Sequence, residues 1–566
     1  MCGIAGLINF SEGKNSINSE NIYNLLKNRG PDARGELHDS WYSVFHTRLS
    51  IIEKSSASNQ PMIDESRRYL IVFNGEIYNF REINYMLLKK YNFVSESSSD
   101  TAALLNGYRF FGLEIFKLIE GIFAGAILDL YAKKVILFRD RFAVKPLYFY
   151  SDNKKLYFGS TPGVISELRG GIEVNTNALS NYLALRSPGI NNSFFNHLEQ
   201  LPSGCVKLFS ESGYQNIKYW TIADLIQAPK NNFSFKENAE NIKDLIKNSV
   251  KIQSISDVEL SSFLSGGIDS SIIFKLMSER SINKIPCYTF SSLEAQNNEV
   301  KSAQKTSIFF NGKLNIASYD SIKFDSEVQE IIKNKGGALT VANEYAIFKI
   351  ANLMKKNNIK VAMSGEGSDE IFMGYTRIFN EAYIVSKDHK FTIYEIAQWI
   401  FDKYSYVKTK TLIKNGFKKE FVENFKQESL NYIQNLISEL TKPTLIESVH
   451  YFFLTHHLQT LLSRLDNGTM SGSIEGRVPF LNNNLLEFAL SIPYSQLISC
   501  KNNDFINSKG KIILLEAFND LPKWVLSAKK IGFAGIITNA EYGATLGEIQ
   551  EVNITFITNG AITSAI

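Results

Sequence analysis

Three stretches of this chain carry residue types that do chemistry only in combination. Ser265-Gly266-Gly267-Ile268-Asp269-Ser270-Ser271 follows an apolar-leaning run that ends in Leu264 and precedes the apolar pair Ile272 and Ile273. A strand that breaks at two glycines and reopens as a helix rich in Ser and Asp puts free N–H groups and hydroxyls at the positive end of that helix. Such a turn holds phosphate, because residues without Cβ let the main chain close directly on an anion. Leu264, Ser265, Gly266, Gly267, Asp269 and Ser270 are therefore candidate nucleotide contacts, and Asp269 is placed to hold the cation that neutralises the phosphates. The spacing is not that of the Walker loop, which needs Lys-Ser or Lys-Thr after its last glycine.

The second stretch is the start, Met1-Cys2-Gly3-Ile4-Ala5-Gly6. A small residue at position 2 leads us to expect removal of the initiator methionine, so that Cys2 carries both a thiol and the α-amino group. Nucleophile and base then share one residue, since an α-amine with a pKa of about 7.7 to 8.0 is partly neutral near pH 7. A third cluster is Ser364-Gly365-Glu366-Gly367-Ser368-Asp369-Glu370, followed by Ile371-Phe372-Met373-Gly374-Tyr375. Carboxylates among glycines at a strand end are costly to bury without cations or donors, which a magnesium-nucleotide supplies.

These stretches need two kinds of scaffold. From Gly121 to Phe158 short apolar and aromatic runs alternate with polar turns, as in stacked antiparallel sheets. Beyond residue 235 short apolar strands alternate with amphipathic helices, as in a parallel sheet covered on both faces, which binds ligands at the carboxyl ends of its strands. Predicted elements there include a strand over 285–290, a helix over 300–310, a helix over 344–356 and a strand over 359–363. At 566 residues the chain exceeds one core. We read 1–205 as one domain, 206–235 as a connection, 236–535 as a second domain and 536–566 as a tail without assignment. The charge balance of 61 basic against 57 acidic residues has no dense basic block, so nucleic acid is not an implied partner. No apolar run reaches membrane-spanning length, and Cys2, Cys205, Cys287 and Cys500 show neither CxxC nor zinc spacing. A cytoplasmic protein in a reduced compartment is the expectation.

Several motifs in order carry a resemblance. Asn28-Arg29-Gly30-Pro31-Asp32, His46-Thr47-Arg48-Leu49-Ser50, Asn59-Gln60-Pro61-Met62, Asn74-Gly75-Glu76-Ile77-Tyr78-Asn79 and Ser99-Asp100-Thr101 follow Cys2, with Arg139-Asp140 and Lys145-Pro146-Leu147-Tyr148 beyond. With SGGIDSS, SGEGSDE and the stretch 461–482 (LLSRLDNGTMSGSIEGRVPFLN), this set resembles the glutamine-hydrolysing asparagine synthetase family. The resemblance implies an N-terminal α+β Ntn-hydrolase domain, with stacked antiparallel sheets between helices, and a C-terminal α/β domain of the ATP pyrophosphatase, adenine nucleotide α-hydrolase-like kind. It implies that Cys2 forms a γ-glutamyl thioester and releases ammonia, that Arg48, Glu76 and Asp100 bind glutamine, and that Asn74 and Gly75 supply oxyanion-hole donors. In the second domain it implies ATP and Mg2+ as cofactors, Ser364 and Gly365 on the nucleotide, Asp269 and Asp369 on magnesium, and Glu366 assisting attack of ammonia. Lys511 is implied to neutralise phosphate charge during adenylation, and Lys530 matches a further lysine of less clear role.

The chain departs from the family in places. Ser160 runs into Thr161-Pro162 where relatives carry Ser-Glu, Ser291-Ser292-Leu293 replaces a Gly-Phe before Asn297-Asn298-Glu299, and Leu515 stands where arginine is frequent. Glu475 and Arg477 are read as a loop ion pair of structural or functional use, and His456 and His457 as core or surface histidines. Glutamine and a carboxylate, aspartate by resemblance, are the expected partners. No residue fixes that acceptor, so a sugar uronic acid or a specialised metabolite competes with it, and a non-catalytic regulatory protein is a third reading. The oligomeric state is not legible, and a homodimer is one admissible form.

Overall fold

Strict alternation builds the first half. In Gly3–Asn9, Ile4 and Ile8 face one way and Ala5 and Leu7 the other, and all seven residues are buried, so both faces of this strand are covered. The computed structural model describes residues 2–528 apart from 12, 14–16, 153, 176, 292–298, 342, 408, 415–418 and 500–508. Met1, Asn297-Asn298, Cys500, Lys530 and the tail 536–566 therefore lie outside the described residues.

One six-stranded antiparallel sheet runs Glu199–Gln200, Tyr148–Ser151, Lys155–Gly159, Gly3–Asn9, Tyr42–Arg48, Ala33–His38. A second runs Gly213–Lys218, Cys205–Ser210, Lys134–Arg139, Gly121–Asp129, Tyr69–Ile77, Met62–Ile63. Ile4, Val44 and Phe158 of the first pack against Val72, Ala126 and Leu137 of the second. The outer faces are covered by Ser19–Leu26 and Pro162–Arg169 on one side, and by Phe80–Tyr91 and Asp100–Phe111 on the other. The result is the α+β arrangement of stacked sheets between helices. Its second sheet continues through the hairpin 205–218, because Val206 and Leu208 pair with Phe138 and Ile136. The stretch 206–218, read from sequence as connection, is thus part of this sheet.

The second half is built on five parallel strands in the order Lys313–Ser318, Pro286–Ser291, Leu260–Phe263, Val361–Met363, Glu475–Arg477. Helices Phe235–Gln253 and Ile268–Ser278 pack together, while Glu344–Lys356 packs against Leu458–Ser471. Phe235–Gln253 opens with a capping box in which Ser234 and Glu237 satisfy each other's backbone N–H groups. Glu475–Arg477 is a correction to the sequence reading. Three residues without apolar alternation look like loop, yet they close the sheet by pairing in register with Val361–Met363. Among the described residues no helix is long and apolar enough to cross a membrane.

Candidate active sites

Cys2 enters the first strand of the molecule, and the neighbouring Tyr69–Ile77 strand brings Asn74 beside it: the Cys2 N–H donates to Asn74 Oδ1 at 2.9 Å. Asn74 and Gly75 lie in strand, paired with Ala124 and Phe123, rather than in a hairpin turn. Gly75 has φ +155°, and a Cβ there would sit 2.1 Å from the Ile122 carbonyl, so no other residue fits. Asn74 Nδ2 is buried without a hydrogen-bond partner among the described residues, a donor held ready beside the sulfur. Burial pushes the Cys2 thiol above its ordinary range, while a Leu49 backbone hydrogen bond and the Arg48 charge act against it. His46 is no base for it. Its Nε2 faces the Phe73 carbonyl at 3.2 Å, and burial drives its pKa down to about 3.

Arg48 is fixed by the loop that follows its strand, donating to Ser55 O at 2.7 Å and Asn59 Oδ1 at 2.9 Å, and also to Glu53 O. Asp100 accepts from the backbone N–H groups of Ile77 at 3.0 Å and Thr101 at 2.8 Å, but burial still raises its pKa to about 6. Glu76 is raised well above the usual carboxylate range, by burial first and then by Asp100 and Glu475, against the pull of Arg477. Glu76 Oε2 is buried without a hydrogen-bond partner among the described residues. Asn74 thus bonds the Cys2 main chain, the Arg48 and Glu76 charges act on its thiol, and Asp100 acts on Glu76. A ligand with an ammonium group, a carboxylate and a carbonyl supplies what each lacks.

The second site forms where Leu260–Phe263 and Val361–Met363 end side by side. Gly266 has φ +78°, and a Cβ there would meet Ala303 N at 2.6 Å, so the turn packs tightly on the next helix. The Ser265 and Ser270 hydroxyls lie 3.0 Å apart, and the Gly267 N–H donates to Ser265 Oγ at 3.3 Å, so the loop is held by its own side chains. Gly365 packs against Asp269 and Ser270, with a notional Cβ 3.0 Å from Asp269 Cβ. Both acidic motifs converge on one cation: Lys511 Nζ lies 2.6 Å from Asp269 Oδ2 and 2.7 Å from Asp369 Oδ1. Burial alone lowers the pKa of a lysine, but these two carboxylates outweigh it and hold Lys511 above its ordinary range. Ser368 Oγ adds a 2.6 Å hydrogen bond to Asp269 Oδ1. Glu366 is gripped by Arg464, whose other terminal nitrogen donates to Asn343 Oδ1 at 2.9 Å.

Charged side chains join the two sites. Arg29 donates from Nε to the Cys2 carbonyl at 3.3 Å and from Nη2 to Asp466 Oδ2 at 2.9 Å. Asp466 sits two residues beyond Arg464 on Leu458–Ser471, so one helix holds the glutamate of one domain and reaches, through Arg29, the cysteine of the other. Arg477 forms the expected ion pair, 2.6 Å from Glu475, and it also lies 3.9 Å from Glu76 Oε1. Its carbonyl accepts the Ser364 N–H at 2.8 Å. Burial alone raises Glu475, but Arg477 holds it below the usual carboxylate range.

Sequence reasoning missed what holds the halves together. In Asn28-Arg29-Gly30-Pro31-Asp32, Asn28 O accepts from Ser473 Oγ at 2.7 Å, Arg29 pairs with Asp466, and Asp32 pairs with Lys360 at 2.7 Å. The alternation of charged residues with glycine and proline was the available signal, but their partners lie more than 300 residues away. Gly374, named within the third cluster, was given no role, although a Cβ there would fall 1.8 Å from Asp369 Oδ1. Pro162 packs on Gly336, so the altered Ser160-Thr161-Pro162 stretch still meets the second domain. An interdomain cleft of about 660 Å³, solvent at its mouth included, is lined by Pro162, Arg186, Lys335 and Ser463 among others, and by none of the predicted site residues.

Comparison with known proteins follows the same division. Residues 1–220 match the family described as glutamine amidotransferase domain, and residues 241–553 match the family described as asparagine synthase. The chain is 28% identical to asparagine synthetase [glutamine-hydrolyzing] 1 of Bacillus subtilis, over 94% of this chain and 87% of that protein. It is 29% identical to putative asparagine synthetase [glutamine-hydrolyzing] 2 of Methanocaldococcus jannaschii, over 67% of this chain and 76% of that protein. A fungal relative named amidase chyE, from Penicillium rubens, is 24% identical over 88% of this chain and 83% of its own length.

Proposed function

The chain belongs to the asparagine synthase family and is a glutamine-hydrolysing, ATP-dependent carbon–nitrogen ligase, and from that premise we propose that its acceptor is aspartate and its product asparagine, made in the cytoplasm. Cys2 attacks the glutamine side-chain carbonyl, passing its proton to its own α-amine once Met1 is removed. Asn74 Nδ2 and the Gly75 N–H receive the charge that develops on the carbonyl oxygen. Ammonia leaves, and water releases glutamate from the thioester. Arg48 orients the α-carboxylate of glutamine, and Glu76 and Asp100 its ammonium group.

In the second domain the acceptor carboxylate attacks the α-phosphate of ATP, forming an acyl-adenylate and releasing pyrophosphate. Ser265, Gly266, Gly267 and Ser270 cradle phosphate, with Ser364 and Gly365 on the nucleotide. Lys511 leaves the Asp269–Asp369 cleft to offset phosphate charge. Two carboxylates that already share one cation fit a magnesium site, which takes one or two carboxylates with phosphate oxygens and water, and the bound ion would neutralise the polyphosphate. Glu366, aimed by Arg464, takes a proton from ammonia as it attacks the acyl carbon, and AMP departs. Ammonia reaches this carbon through the interior, along the contacts between Arg29, Asp466 and Arg477.

The observation that carries the reading is the convergence of Asp269, Asp369 and Lys511 beside the Arg464–Glu366 pair. The similarity to a protein named amidase supports a second reading in which the machinery is kept and another carboxylate, such as a sugar uronic acid or a specialised metabolite, is amidated. Incubating the protein with glutamine, ATP, magnesium and a panel of acids, with products read by mass spectrometry, separates the two. We expect asparagine and AMP from aspartate. An amide of another acid, with aspartate untouched, would overturn the first reading in favour of the second.

A further inference from the structure

Helix Leu445–Phe452 runs into Leu458–Ser471 through a π-helical turn, Phe453–His457, the kind of irregularity that frequently marks a functional place. The sequence reading leaves His456 and His457 as core or surface histidines. Both are buried, and their ring nitrogens are engaged. His456 has Tyr432 Oη 2.8 Å from Nδ1 and the Leu185 carbonyl 3.0 Å from Nε2, which ties it to the scaffold. His457 does something different. Tyr404 Oη lies 2.6 Å from its Nδ1, Tyr375 Oη lies 2.9 Å from its Nε2, and the Tyr375 hydroxyl donates to Glu370 Oε1 at 2.7 Å. One hydrogen-bond direction satisfies all three contacts: Tyr404 donates to Nδ1, the Nε2–H donates to Tyr375, and Tyr375 donates to the carboxylate.

Glu370 is the residue after Asp369, and it is almost completely buried. Its backbone carbonyl also faces His450 Nε2, at 3.0 Å. The turn that carries both acids is bounded by two left-handed residues, Gly367 at φ +92° and the non-glycine Met373 at φ +57°. At a non-glycine residue, backbone of that kind persists only where its surroundings over-determine it. On the near side of the turn Asp369 faces Lys511 and, across that ammonium, Asp269. Once that ammonium moves to phosphate the two carboxylates repel, so the turn has to be held from behind.

We propose that His457, Tyr375 and Tyr404 are positioning residues of the synthetase site, which anchor Glu370 and thereby fix the turn that presents Asp369 to a divalent cation bound with ATP. The inference rests on the reading of Asp269 and Asp369 as the cation site. It adds to that site a rear support supplied by the π-helical turn of a helix whose far end reaches Asp466 and, through Arg29, Cys2.

The test is calorimetric titration of ATP into the full-length protein at a series of magnesium concentrations. Tyr375→Phe deletes one hydroxyl and keeps the ring, and His457→Phe keeps bulk without hydrogen bonds. Loss of an outer support to a metal ligand costs 10- to 100-fold in metal affinity, so each is expected to raise half-saturating magnesium by about tenfold or more. The double variant is expected to be no worse than either single one, because one chain of bonds is broken in each case. Saturating magnesium restores ammonia-dependent AMP formation, and glutamine hydrolysis at Cys2 is unchanged. An unaltered magnesium requirement would overturn the proposal, as would a loss that magnesium does not relieve and that glutamine hydrolysis shares. If the wild-type protein binds ATP without regard to magnesium, the underlying reading of Asp269 and Asp369 falls, and that outcome is visible before any variant is made.

Discussion

The two sites handle buried charge in opposite ways. Around Cys2 the structure leaves groups short of partners: Asn74 Nδ2, Glu76 Oε2 and Arg477 Nη2 are all buried without a hydrogen-bond partner among the described residues. Around Asp269 the protein supplies its own counter-charge, with Lys511 between two carboxylates and Arg464 on Glu366. Unpartnered buried polar groups cost about 1 to 3 kcal/mol each, so the first site gains when a matching ligand enters. The second already carries an internal counter-charge, and a ligand that takes its place has to displace an ion pair. One site is prepared by want, the other by substitution.

That contrast is open to attack. Asp269→Ala removes one of the carboxylates that converge on Lys511, and we expect amide formation from either nitrogen donor to fall by about a thousandfold, equivalent to about 4 kcal/mol, while glutamine hydrolysis persists. Steady-state assays with glutamine and with ammonium chloride check this. Asn74→Ala deletes the unpartnered donor, and the expected loss in kcat for glutamine hydrolysis is about 10²- to 10³-fold, with ammonia-dependent synthesis intact. The smallest effect is in the pH profile. Asp100 has its pKa raised to about 6, so, if it holds the glutamine ammonium as proposed, kcat/KM for glutamine should fall by about tenfold per unit below pH 6 as this carboxylate takes up a proton. Its effect on stability has the opposite sign. The folded protein binds this proton more tightly than the unfolded chain, so the stabilisation from Asp100 is complete below an unfolded pKa of about 3.9 and is lost as pH rises through 6.

The loops that carry Asp269 and Asp369 stood out in the sequence because glycine, serine and carboxylate at fixed spacing have few other uses, and the structure brings both to Lys511. The elements around them were legible by period: the helix predicted over 344–356 is Glu344–Lys356, and the strand predicted over 285–290 is Pro286–Ser291. Glu475–Arg477 was not, because a short strand of two charged residues and a glycine carries no alternation and is specified only by its neighbour in the sheet. The first sheet's neighbour was misjudged at its end for a related reason, since the polar hairpin arm Gly213–Lys218 is largely exposed. The contacts of Arg29, Asp32 and Lys145 with the other domain were illegible too. Arg29 Nη2 and Lys145 Nζ both meet Asp466, at 2.9 and 3.5 Å, and nothing local to any of these residues names the others.

The central claim is that one chain frees nitrogen at Cys2 and uses it at a separate ATP site. The most direct measurement is amide formation by Cys2→Ala with glutamine and then with ammonium chloride as nitrogen donor. We predict no detectable product with glutamine and wild-type turnover with ammonium. Equal loss with both donors would contradict a division of labour between two sites.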